Sequence, residues 1–535
     1  MMGPTMDCTV LERPGRWRAA ATIAILSLAV LPAVPLLGRS LAGVTDGASF
    51  AGPGFLNALG GSLAVAGAVA ANAYAVGLPA GVLAALYEFP GRRLLLGLST
   101  LPLIAPSFLW AIGWSKLAAW IGPRAPEALS SLGPHLVFGA LTVPLVLWAS
   151  FAATSALTRS QIDAARLAGG EKAVLSNAAR QAAVPALLAA VLGGVLTLSD
   201  AGPDQIFGSN RVASQILVSF SALHDYELAG RQCVLLAGAV LALALPISVL
   251  AAPRIAAAAL PRQVEGPVRL RVRTAAVAGE AFFLAMTLLG TALPLLGLAL
   301  PLLDETGFDR AFAIAERTLG DTLVYAGVGG TVAVVLGFTT AAAVGREHRL
   351  RKFAIAFSIA AFSLPPSLAA LGVIRLASQA PAGMDFLLRS KATVCLGHGL
   401  RLLPVAFFLG LRSWAGMPPS WALAAAVHGV PPATYIVRVV LPHLAPAGIA
   451  AFLLVALLSA ADLTTVLLLH PPGASSLSLS VFTVMANARE SLVASLCLIY
   501  FAFALTALVF GWAATRVVSP TRKEGTPPPK ERPAR

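Results

Sequence analysis

Few residues in this chain have the types and spacing for chemistry, and those few sit within or at the ends of long apolar runs. His398 and Arg401 lie three apart, so on a helix they share one face. Asp200 and Asp462 each follow an apolar run. A charged group in such a place either lines a water-filled pathway, where an acid can meet a cationic solute, or bonds to a neighbouring helix. The spacing fits both readings; Glu280 reads as interfacial. There is no G-x-x-x-x-G-K-[ST] loop to cradle ATP, and no H-E-x-x-H or paired Cys/His cluster of a metalloenzyme. The four cysteines, Cys8, Cys233, Cys395 and Cys497, are dispersed, which points to neither a disulfide framework nor a zinc site.

The elements that must position these residues are apolar throughout. Of 535 residues, 57% are hydrophobic and only 12% charged, with mean hydropathy +0.81; a soluble domain carries about 25% charged residues. Backbone inside lipid must satisfy its own hydrogen bonds, so the runs are expected to be helices. Twelve spans are expected, beginning near Trp17, Leu59, Leu94, His135, Ala183, Ala229, Ala275, Leu319, Phe353, Thr393, Pro442 and Ser491. Pro102, Pro106, Pro365 and Pro366 interrupt two of them.

The net charge of +14 is carried by basic residues in short segments between apolar runs, so it reads as a topology signal and not as nucleic-acid binding. Most of the 38 Lys and Arg fall in segments on one side, which places both termini in the cytoplasm. Arg13, Arg16 and Arg18 before the first run resemble a signal peptide. The run is nonetheless long enough to span, and it lacks a clear small-residue cleavage site, so it reads as an uncleaved helix.

The chain also matches itself at an offset of about 260 residues. Ser62 falls on Thr322, Gly77 on Gly337, Pro106-Ser107 on Pro366-Ser367, Gly139 on Gly399, Pro144 on Pro404 and Gly169 on Gly429. Aligned Gly and Pro restrict the backbone and are harder to match by chance than Ala or Leu. The expected fold is an all-α polytopic membrane protein with about twelve transmembrane helices in two parallel six-helix repeats. The expected organisation is 1–250, a basic connector at 251–274, 275–515 and a disordered tail at 516–535.

The most informative segment recurs before the fifth helix of each half. The first copy reads Asp163-Ala164-Ala165-Arg166-Leu167-Ala168-Gly169 and continues to Val184-Pro185. The second reads Leu423-Ala424-Ala425-Ala426-Val427-His428-Gly429 and continues to Leu441-Pro442. Each is expected to be a short helix of small residues stopped by a glycine turn, leading to a proline at a new span. This pattern resembles the cytoplasmic loop E-A-A-x3-G-x9-I-x-L-P of permease subunits of bacterial ABC importers. The second copy keeps the spacing, with Leu423 at the glutamate position. The first keeps an acid at Asp163, but Pro185 comes three residues late. Ser199 to Gly208 and Ala461 to Gly473 are similar to segments of the fused, double-length permeases of the ferric-iron type, with Thr464 where that family has proline.

The resemblance implies a permease in the bacterial inner membrane, surrounded by membrane lipid. Two ABC ATPase subunits would dock on the two loops, and an extracytoplasmic substrate-binding protein on the other side. It implies no cofactor on this chain, no nucleic acid and no catalysis; ATP belongs to the partner ATPases. Ferric iron is the first expectation for the substrate, with thiamine or a phosphonate as alternatives. The competitor from another class is an ion-coupled secondary transporter, which needs membrane-embedded carboxylates that are scarce here.

Overall fold

The computed structural model describes residues 16–36, 51–52, 54–258, 269–303, 307–379 and 390–518. Cys8, Arg13, Arg39, Arg262, Gly266 and the tail beyond 518 lie outside the described residues. Among the described residues the only pairing outside helices is an isolated parallel bridge between Tyr87 and Leu270. Ten helices are long and apolar enough to cross a membrane, and two bent pairs raise the number to 12 if each counts as one span. The chain is a multi-pass membrane protein.

The helices are α1 (Arg16–Val30), α2 (Phe55–Leu86), α3 (Arg92–Thr100), α4 (Ser107–Ile121), α5 (Ala125–Thr154), α6 (Arg159–Thr197) and the short α7 (Gly202–Phe207) and α8 (Val212–Ser221). Next come α9 (Tyr226–Ala258), α10 (Arg273–Leu302), α11 (Phe308–Val344), α12 (His348–Ser363) and α13 (Pro366–Gln379). The last are α14 (Lys391–Ala415), α15 (Pro419–Val427), α16 (Pro432–Ala461), α17 (Leu463–Leu469), α18 (Leu477–Met485) and α19 (Glu490–Val518). α9 and α10 therefore extend into the basic connector, of which 259–268 lie outside the described residues.

Two bundles form around closely packed triplets, α2 with α5 and α6, and α11 with α14 and α16. Lipid gives apolar helices no hydrophobic reason to associate, so close approach of small residues does the work. A Cβ on Gly81 would stand 2.4 Å from the Leu147 carbonyl oxygen, and one on Gly337 2.6 Å from the Phe407 nitrogen. Hydroxyl groups tie in the short helices. Ser62 accepts from the Val212 amide at 3.1 Å, and Thr322 from the Leu477 amide at 2.8 Å.

The prolines break two spans sharply. α3 continues through a tight turn at Leu101–Ile104 and then meets α4 at 102°, while α12 meets α13 at 85°. Pro106 and Pro366 each remove a donor at the break, and the residue before each is pushed out of the helical region.

α1 and α10 each lie against helices that are distant in the sequence or belong to the other bundle. α1 packs on α11 and α12, and the turn Leu31–Ala33 that follows it crosses α13 where a Cβ on Gly372 would fall 1.7 Å from the Pro32 carbonyl oxygen. α10 packs on α3 and α4, with a Cβ on Gly297 only 2.0 Å from the Gly113 carbonyl oxygen. Arg18 fastens the start of α1 by donating to the Ala342 carbonyl at 2.8 Å.

Candidate functional site

Two regions gather the residues singled out in the sequence. The first is a cavity of 270 Å³ where the two bundles meet, with Pro106 and Pro366 of the two breaks both on its wall. Asp200, Arg401 and Asp462 line it, together with Ser107 and Phe482.

Asp462 caps the start of α17. It accepts from the Thr465 amide at 3.1 Å and from its hydroxyl at 2.6 Å, and it forms an ion pair with Arg401. His398 Nδ1 lies 3.6 Å from the same carboxylate. The i, i+3 spacing of His398 and Arg401 therefore does put both on one face, toward Asp462. His398 is fully buried and Arg401 reaches the cavity, so only the arginine of this pair faces the open space. Arg401 both bonds to a neighbouring element and reaches the cavity.

Asp200 accepts from the Gly202 amide at 2.8 Å, with Ser107 beside it. No ion-pair partner is seen for it among the described residues. Both acids follow the end of a long helix and line the cavity beside Arg401. That residue sits ten positions into α14, about 15 Å from its end at 1.5 Å per residue. The cavity wall carries two carboxyl groups and one guanidinium, with Asp462 paired to Arg401 and Asp200 bonded only to neutral groups.

The second region is the pair of loop segments, which share a face with the connector: Arg412 donates to the Ala258 carbonyl at 3.1 Å, and Tyr87 to Glu171 at 3.0 Å. The first segment opens α6 with a capping box. The Thr158 hydroxyl accepts from the Gln161 amide, and the Gln161 side chain accepts from the Thr158 amide. The T-x-x-Q spelling was legible in the sequence and marks the start of this helix better than the apolar run does. Ile162 faces inward, while Asp163, Ala164 and Leu167 face outward.

The turn that follows differs from expectation. Gly169 is extended (φ −170°), a conformation open to any residue, whereas Gly170 holds φ +67°. The turn glycine of the first loop is therefore Gly170, one position late, and an Arg166–Glu171 ion pair of 2.6 Å spans it. In the second loop the turn falls where expected, at Gly429 (φ +65°). There α15 ends in a Schellman motif: Val430 donates to the Ala425 carbonyl at 2.9 Å and Gly429 to that of Ala426 at 3.1 Å. The A-A-x3-G spacing is the spacing this cap requires. Ala422 is buried and Ala425 half-buried against the span, while Leu423, Ala424 and Val427 face outward.

Pro185 and Pro442 were expected to begin new spans, but each lies inside a helix already running. Before Leu441-Pro442 the helix widens into a π turn at Ile436–Val440. A proline ring has no N–H and would strike the carbonyl four residues back, and a wider turn accommodates both.

Leu167 and Val427 are 91% and 83% exposed, each at the tip just before its turn. Large exposed apolar side chains at such tips are the kind of surface that other proteins cover. Comparison with protein-family models, with curated proteins and with solved structures finds no match.

Proposed function

We propose that this chain is the permease of an ABC importer, with two parallel six-helix halves enclosing the pathway and one ATPase subunit docking on each loop. The observation that carries the reading is the pair of exposed short helices, 159–168 and 419–427. Each presents an apolar tip and ends at a left-handed glycine. Support for the two halves comes from the equivalent placing of aligned residues. Ser62 and Thr322 each hold the first amide of a short helix, and Pro106 and Pro366 each stand at a break on the cavity wall. A pathway flanked by two breaks can open to one side or the other as the halves rock.

The cargo is read from the resemblance of the segments Ser199 to Gly208 and Ala461 to Gly473. Ferric iron is the first reading, with thiamine or a phosphonate as the alternatives. An extracytoplasmic binding protein would deliver it. The membrane is the bacterial inner membrane, with the loops, the connector and both termini in the cytoplasm. Reporter fusions at Gly266 and after Arg516 are expected to behave as cytoplasmic, and a periplasmic signal at Gly266 would overturn the six-plus-six arrangement.

The deciding experiment is reconstitution. Alone in lipid, the chain is expected neither to hydrolyse ATP nor to move solute along a proton or sodium gradient. With its ATPase partners hydrolysis should appear, and it should rise when the loaded binding protein is added, because only the assembled complex links outer binding to inner closure. Gradient-driven uptake by the isolated chain would favour the ion-coupled reading, with Asp200 as the coupling carboxylate.

A further inference from the structure

On the connector face, beside the first loop, a second pocket of 620 Å³ lies between the turn joining α2 to α3 and the strand-like residues that lead into α10. Glu88, Arg92, Arg93, Arg269 and Arg271 line it, four guanidiniums to one carboxylate. The walls are fixed. Glu88 donates its amide to the Leu270 carbonyl at 3.1 Å, Leu270 donates to that of Leu86 at 2.7 Å, and Phe89 stacks on Phe283 at 5.5 Å.

The charges are not balanced from within. Arg92 is occupied by the Ala84 carbonyl and the Phe151 ring. Arg271 and Arg269 approach the two oxygens of Glu88 at 3.0 and 3.6 Å. The Arg271 hydrogen bond, with the Arg269 charge behind it, holds the Glu88 carboxyl below its ordinary range, so this acid stays ionised and still leaves a surplus of positive charge. Arg93 is exposed and has no acidic partner among the described residues. Three guanidiniums with unused N–H groups around one rigid opening match the oxygens of a phosphate, which planar arginine forks bind in pairs.

We propose that this pocket binds a phosphate-bearing anion, held by Arg93, Arg269 and Arg271. Two sources share that chemistry, the headgroup of an anionic phospholipid and free phosphate. Exposed Leu94 on α3 and Val277 on α10 flank the pocket on the helices that leave it, where acyl chains would run.

The test is thermal unfolding of the full chain in neutral detergent, titrated with phosphatidylglycerol, phosphatidylcholine or inorganic phosphate. Saturable stabilisation by phosphatidylglycerol alone identifies a lipid, and stabilisation by inorganic phosphate identifies a soluble ligand. In either case Arg93→Ala/Arg271→Ala should weaken apparent affinity about tenfold or more, since each basic residue near anionic headgroups contributes appreciably. Arg180→Ala/Arg349→Ala, which removes the same charge elsewhere on this face, should leave affinity unchanged. If loss of the Glu88 contact unfolds the double variant, Arg93→Ala alone should still weaken binding several-fold. Absence of saturable stabilisation by either anion, equal stabilisation by phosphatidylcholine, or equal loss in the control variant would overturn the proposal.

Discussion

Asp462→Ala is expected to abolish uptake and to lower the thermal stability of the chain more than any other single change at the cavity. The carboxylate answers the Arg401 guanidinium, the Thr465 amide and the Thr465 hydroxyl, with His398 at 3.6 Å. Removing it leaves a guanidinium without its counter-ion deep in an apolar bundle. Breaking a buried pair from one side costs about 3–5 kcal/mol, whereas replacing both partners by apolar residues of similar size is often neutral. Arg401→Met/Asp462→Leu should therefore unfold near the wild-type temperature. Uptake by the double variant then separates the two roles of the pair, because a purely structural link would be restored and a pathway contact would not. Uptake is expected to stay lost, since Arg401 reaches the cavity. Wild-type transport by the double variant would assign the pair to packing alone.

Gly429→Val and Gly170→Val are each expected to reduce uptake more than tenfold with insertion into the membrane intact. Both glycines hold φ near +65°, where a β-branched side chain is strained by roughly 1–2 kcal/mol or more. No atom would clash with an added Cβ at either position, so the effect acts through the backbone. Distorting the turn swings Leu167 or Val427 out of register with the docking partner. Gly169→Ala is the discriminating control. Its extended backbone accepts a side chain, and the nearest atom to the added Cβ is the Ala173 Cβ at 3.0 Å, so the loss should be mild. Binding of the ATPase to the detergent-solubilised variants, measured beside uptake, checks the assignment. Full binding and uptake in both valine variants would remove the loops from the coupling role.

The spans were legible because lipid imposes a requirement that composition alone reveals. Twelve apolar runs correspond to ten long helices and two bent pairs, and the proline clusters marked where the bends fall. The face shared by His398 and Arg401 was legible because helical spacing is local. Their meeting with Asp462 was not, since it depends on how α14 crosses the end of α16 and on how deep that end lies. The shift of the first turn from Gly169 to Gly170 escaped because adjacent glycines offer the same freedom, and only the packing of Ile162 and the Tyr87–Glu171 contact choose between them. The crossing of α1 onto the second half left no trace in hydropathy: Gly372 reads as one small residue among many until Pro32 is found against it.

That crossing bears on how the protein is made. α1 enters the bilayer first, yet the surfaces it rests on, α11 to α13, are synthesised roughly 300 residues later, which at ~5–20 residues per second leaves it without its partners for on the order of 15–60 s. During that wait Arg18, which will bond to Ala342, must find a temporary ligand in water or headgroups, and the Pro32 turn has no Gly372 to close on. A ribosome that falls off after the first six spans leaves α1 unclasped and the α3–α4 surface uncovered where α10 belongs.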